Sequence, residues 1–257
     1  MEWLDWFKNA IKWEEYKKLL DEALSNNIAL NEKYVALKAQ CSEQITLLLE
    51  AREIIKNLRN ISIKESEQEI YWNNKWAKNS ITYKADGEYE YDIRNLIFNK
   101  SHILSKYKGL NNLSHDDKAL TTLKFVASRI KYQSDKEHFG KPELWKNPEY
   151  TYQERLGDCE DGALLLISLL RINGVPAYKV KLCAGYVKSG NSKAGHAYVI
   201  YLADNNEWYV LDWCYWYKES INAFKKIPHK DMTNYLDIWW TANDVYTWAQ
   251  KSTRLGE

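Results

Sequence analysis

Proline and glycine are scarce in this chain, with four prolines and ten glycines in 257 residues, and neither occurs before Gly87. The N-terminal third therefore lacks the two residues that interrupt helices, and a long helix there is unopposed. An excess of charge is also missing. Lys and Arg total 36 against 35 Asp and Glu, a net charge of +1, which gives no electrostatic basis for nucleic-acid binding. The longest apolar run, residues 162–170, ends at Arg171 and is too short to span a bilayer. Residues 1–13 mix Glu, Asp and Lys with Trp and Phe, unlike a signal peptide. A cytoplasmic protein, or a component of a larger particle, is the expectation. Cys41, Cys159, Cys183 and Cys214 lack the close spacing of a metal knuckle. Free thiols in a reducing compartment are the simpler reading, and the even count leaves disulfides open.

Aromatic residues are abundant instead, with twelve Trp and nineteen Tyr. Such an excess serves either stacking surfaces for carbohydrate or peptide, or an aromatic core, the commoner use. From Tyr16 through Leu20, Ala23, Asn27, Leu30 and Tyr34 to Leu58 the sequence keeps alternating four- and three-residue steps, the period of a heptad seam. Residues 1–60 thus read as a helical arm. It is either a coiled coil that makes a homo-oligomer, with Asn27 and Gln44 as register-setting polar positions, or an amphipathic helix packed on its own domain. Residues 61–115 read as connecting helices and loops, with a short hairpin around Ala85-Asp86-Gly87. Residues 235–249, rich in Trp and Tyr, read as a helix covering the core.

Chemistry concentrates further along. Gly157-Asp158-Cys159-Glu160-Asp161-Gly162 precedes the apolar run and puts a cysteine at the mouth of a buried helix. Unpaired N–H groups and the positive end of the macrodipole favour a thiolate there. Asp158 also reads as the N-cap, with Asp161 in the first turn. Downstream, Tyr178, Val180, Leu182, Ala184 and Tyr186 alternate with Lys179, Lys181 and Cys183, the period of a strand with one buried face. His196, Tyr198 and Ile200 share a face of the next strand, and Val210, Asp212 and Cys214 share a face of a third. Turn-like separators at residues 188–194 and 203–207 make a three-stranded meander that brings His196 and Asp212 onto adjacent strands. Cys, His and Asp in that order can form a thiol triad.

These residues carry a family resemblance. Trp145, Pro148, Glu154, the Gly157 to Asp161 block, Leu169-Leu170-Arg171-Ile172-Asn173-Gly174-Val175-Pro176-Ala177, Gly195-His196-Ala197 and Trp208-Tyr209-Val210-Leu211-Asp212 resemble the transglutaminase-like superfamily, most of all its bacterial cysteine peptidases. The resemblance covers about residues 116–217 and includes the helix over 117–129. It implies an α+β, papain-like transglutaminase fold with the catalytic domain at 116–257: a helix bearing the cysteine packed on an antiparallel sheet bearing the other two residues. By it Cys159 is the nucleophile, His196 the base and acid, and Asp212 its orienter. The implied activity is acyl transfer from an amide of a protein or peptide substrate, most simply hydrolysis. Amine transfer by a transglutaminase, or arylamine acetyl transfer, would use the same triad. For the oxyanion, the Cys159 N–H is joined by Trp145 or Gln133 as candidate donors. A non-catalytic assembly protein, for instance of a viral particle, that keeps the fold as a binding module is the alternative from another class.

Asp158, Glu160 and Asp161 pose an electrostatic problem, because each opposes ionisation of the adjacent thiol. Members of the resembled group are associated with calcium, and clustered carboxylates suit that ion. The alternative is that the acids only cap the helix and pair with a cation such as Arg155.

Overall fold

The computed structural model describes residues 2–84, 90–107 and 110–255, with residues 2–11 described by backbone alone. The chain packs as two units, residues 1–60 and 61–257. The first unit is a single helix. Helix α1 spans Glu2–Lys75 and so continues into the second unit; strong helix formers and the lack of Gly and Pro sustain its length. From residue 12 to residue 60 every side chain is exposed. The apolar stripe lies open, with Leu20 at 66% and Leu48 at 69% exposure.

In the second unit, β1 (Ile81–Lys84) and β2 (Glu90–Asp92) pair antiparallel. They flank the expected Ala85-Asp86-Gly87 turn, which itself lies outside the described residues. Short 3-10 turns at Ile93–Leu96 and Leu104–Lys106 follow. Helix α2 (His115–Arg129) starts at Ser114, whose Oγ accepts from the Asp117 N–H at 3.1 Å. Next come β3 (Lys131–Tyr132), α3 (Asp135–Phe139), α4 (Pro148–Glu154) and β4 (Leu156–Gly157), with β3 and β4 paired parallel. Helix α5 (Cys159–Ile172) is buried on all sides from Gly162 to Leu170. A helix apolar around its circumference has to be central, and α5 packs against α2, α4, β5 and β6.

Strands β5 (Val180–Ser189), β6 (Ser192–Leu202) and β7 (Trp208–Leu211) form the expected meander. Helix α6 (Tyr217–Ala223) leads to β8 (Tyr235–Ala242), β9 (Thr247–Ala249) and β10 (Thr253–Leu255). The main sheet is antiparallel with order β7-β6-β5-β8-β9, and β10 lies beside β1.

Two sequence expectations are corrected here. Residues 235–249 form strands, not a covering helix, because β8 takes the open edge of β5, pairing Leu182 with Ala242 and Ala184 with Trp240. Gly185 permits that approach: a Cβ there would lie 1.9 Å from the Asp237 carbonyl oxygen. Second, β5 is buried on both faces from Val180 to Gly185, since Lys181 and Cys183 are 1% and 0% exposed. One face meets α5. The other is covered by an aromatic cluster that includes Trp72 and Trp76 from the end of α1, and Trp248. Much of the aromatic excess is therefore core.

Candidate active site

Cys159 opens α5. Just before it, the Asp158 N–H donates to Asp161 Oδ2 at 3.2 Å, the reciprocal half of a capping box. The first turn is held from outside by Trp213, whose indole Nε1 donates to the Cys159 carbonyl at 3.1 Å. That contact requires Gly162, because a Cβ at this position would come within 2.1 Å of the Trp213 ring.

His196 and Asp212 meet as the meander expects. Val199 is paired with Leu211, so Asp212, the next residue beyond β7, lies diagonal to His196 on the same face of the sheet. His196 Nε2 stands 2.7 Å from Asp212 Oδ2, with both side chains fully buried. A buried carboxylate needs several donors, and Asp212 has them. The Tyr235 hydroxyl donates to Oδ2 at 2.8 Å, and the Cys214 N–H to Oδ1 at 2.9 Å. Tyr215 and Trp216 enclose the imidazole, with ring centroids 5.2 and 5.5 Å away. His196 Nδ1 has no hydrogen-bond partner among the described residues.

Cys159 and His196 line one cleft of about 660 Å³ together with Glu160, Trp145, Trp239 and Trp240. Trp145 Nε1 is buried near the Glu143 carboxylate. Gln133 is placed differently: its N–H donates to the Gly157 carbonyl at 3.0 Å, and it is not among the residues that line the cleft.

The acids beside the thiol form a larger cluster than the sequence suggests. Asp135, Asp158, Glu160 and Asp161 are all buried and bring carboxylate oxygens within 4.8 Å of one another. The cation among them is Lys146, not Arg155. Its Nζ lies 2.5 Å from Asp161 Oδ2 and 3.8 Å from Asp135 Oδ1, whereas Arg155 is exposed at the left-handed end of α4 with φ 60°. One lysine does not balance four carboxylates. Burial, followed by the neighbouring Asp158, pushes Asp161 up to about 8 and Glu160 well above the usual carboxylate range. Burial, then the Glu160 charge, likewise raises the Cys159 thiol, which donates to Glu160 Oε2 at 3.2 Å. Asp135 Oδ1, Asp158 Oδ1 and Glu160 Oε1 are buried with no hydrogen-bond partner among the described residues.

Sequence reasoning did not single out Asp135, Lys146 or Tyr235 as site residues. Asp135 follows Ser134, which reads locally as a helix cap, and Lys146 has no pattern around it.

A sequence model of the Transglutaminase-like superfamily matches residues 102–213. Those residues form a transglutaminase-like core. Within it lie Cys159, His196, Asp212 and the four acids, while Tyr235 comes from beyond it. The transglutaminase-like core has similar solved structures. Calcium-bound LapG of Legionella pneumophila is 20% identical with a TM-score of 0.43, over 60% of this chain and 86% of that one. EGTA-treated LapG of the same organism has the same identity and TM-score, over 62% and 84%. A candidate cysteine protease from Cytophaga hutchinsonii is also 20% identical, with a TM-score of 0.33 over 47% of this chain and 41% of that one. No curated protein matches the chain. Among the described residues no helix is long and apolar enough to cross a membrane.

Proposed function

We infer that the chain catalyses cysteine-dependent acyl transfer from amides, most simply hydrolysis of a peptide bond. The observation that carries this reading is the buried His196–Asp212 pair. It ties up Nε2, while Nδ1 is buried with no hydrogen-bond partner among the described residues, and His196 and Cys159 line one cleft. With Nε2 donating to Asp212, Nδ1 is the proton acceptor of the neutral ring. It takes the thiol proton as Cys159 Sγ attacks the amide carbonyl. The oxyanion of the tetrahedral intermediate is met by the Cys159 N–H at the helix start, with the Trp145 indole as the second candidate donor. On collapse the C–N bond breaks, the imidazolium returns its proton to the leaving amine, and a thioester remains on Cys159. Water then attacks the thioester, delivering its proton to His196, and releases the acid. An amine in place of water would give a cross-linked product.

The acid cluster fits a calcium ion. Its donors are all carboxylate oxygens, and three of them are buried with no hydrogen-bond donor among the described residues, as a hard cation prefers. Asp135, Asp158, Glu160 and Asp161 would hold the ion, and backbone or water oxygens would complete its shell. When bound, it would offset the negative charge beside the thiol.

The test is alkylation of the full chain with a thiol-reactive probe at near-neutral pH, read by peptide mapping, with calorimetric titration of calcium alongside. Preferential labelling of Cys159, lost on His196→Ala, supports the catalytic reading. Equal labelling of all four cysteines overturns it. Absence of heat at millimolar calcium, with chelator leaving the labelling rate unchanged, removes the ion and leaves the triad to act alone.

A further inference from the structure

The arm presents a self-complementary seam, and its order of residues selects one way for two copies to meet. Between Tyr16 and Leu58 the seam advances strictly by fours and threes. A straight helix drifts about 20° per heptad against that period, so the stripe stays in contact only with a helix around which it supercoils. The apolar seam is exposed, with Leu30 at 68%, Leu37 at 64% and Ile55 at 62%. Over residues 12–60 it runs for about 70 Å. Covering it would remove on the order of 1,000 Å² per helix, above the roughly 800 Å² per partner of a standard interface.

We propose that residues 12–60 form an antiparallel two-stranded coiled coil with a second copy of this chain. In this pairing Asn27 faces Gln44 of the other helix, so each polar seam residue meets a polar one. Leu20 then faces Ala51 of the other copy and Ala23 faces Leu48, one large side chain against one small in each layer. The flanking positions agree, because Leu24 comes beside Ile45 of the second copy and Leu19 beside Ile54. Leu47 comes beside Asn26, and Lys17 beside Arg52 is the one like-charge flank. A parallel pairing fits less well. It stacks alanine on alanine at positions 23 and 51 and tyrosine on tyrosine at position 34, so layers are under- and overfilled in turn. It also sets Lys33 against Lys38 and leaves Leu47 beside Arg52.

The orientation is tested with Cys41. In the antiparallel pairing Cys41 faces Leu30 of the second copy, whereas in the parallel pairing it faces its own equivalent. The full chain should sediment and scatter light as twice its 30.4 kDa mass, and mild oxidation should produce no Cys41–Cys41 disulfide. The Leu30→Cys chain, oxidised in the same way, should link the introduced thiol to Cys41 of the other copy, identified by mass spectrometry of the joined peptides. Leu48→Glu should reduce the mass to the monomer and leave the rate of Cys159 alkylation unchanged. A monomeric or trimeric parent chain, a Cys41–Cys41 disulfide in it, or no link in the Leu30→Cys chain would each overturn the proposal.

Discussion

The Tyr235 hydroxyl donates to Asp212 Oδ2 over 2.8 Å, the same oxygen that lies 2.7 Å from His196 Nε2. Burial and the Asp212 charge hold this phenol well above its usual range, so it remains a donor at any working pH. On the proposed mechanism Tyr235 is a positioning residue that fixes the carboxylate facing the imidazole. Tyr235→Phe should cost about 1 kcal/mol of stability by removing one hydrogen bond. It should also lower kcat about tenfold with little change in KM. Loss of stability with an unchanged kcat would mean that the hydroxyl only packs.

Cys159→Ala and Asp212→Asn separate chemistry from folding. Cys159 sits at a helix mouth and is not fully buried, so truncating it should leave the free energy of unfolding within about 1 kcal/mol of the parent. Turnover should be abolished. Asp212→Asn should lower turnover by about 10⁴-fold through the wrong imidazole tautomer. Thioester trapping with an activated ester substrate would report both, and a trapped adduct on the Cys159→Ala chain would remove the nucleophile assignment.

Gly162→Ala should be among the costliest small substitutions in the molecule. The added methyl meets the Trp213 ring at 2.1 Å, and an overpacked core of this kind loses about 1–3 kcal/mol. Combined with Trp213→Leu, the loss should be clearly less than the sum of the two single changes. Additive values in urea unfolding would place the strain elsewhere.

Lys181 is 1% exposed and lies over the Trp248 ring at 4.2 Å. Burial lowers it to about 7, the nearby Cys183, Asp244 and Glu65 opposing that shift and Arg171 adding to it. A lysine depressed in the folded state means that, between pH 7 and the unfolded value near 10.4, the unfolded chain holds a proton that the folded chain lacks. Stability therefore rises with pH across that window, and the penalty is fully present below it. Lys181→Met should stabilise the protein by roughly 2–4 kcal/mol at pH 7, a gain that shrinks toward zero by about pH 10. Denaturant curves of both proteins across this range provide the check; a gain independent of pH would show that charge burial is not its source.

Local pattern was enough for several elements. Heptad steps and the absence of Gly and Pro determined the arm, and the apolar run after Asp158 determined α5 with a thiol at its start. Alternation determined the three-strand meander and placed His196 and Asp212 on one face of neighbouring strands. These readings succeeded because helix and strand periods are written into consecutive residues. Tertiary structure decided whatever depended on partners distant along the chain. Residues 235–249 are strands because β5 had an open edge, and β5 is buried on both faces because Trp72, Trp76 and Trp248 come to cover it. Lys146 and Asp135 join the acids beside Cys159, and Tyr235 reaches Asp212 from 23 residues away. A charge pair or hydrogen bond between distant segments leaves no periodic trace in either one, so only packing could reveal it.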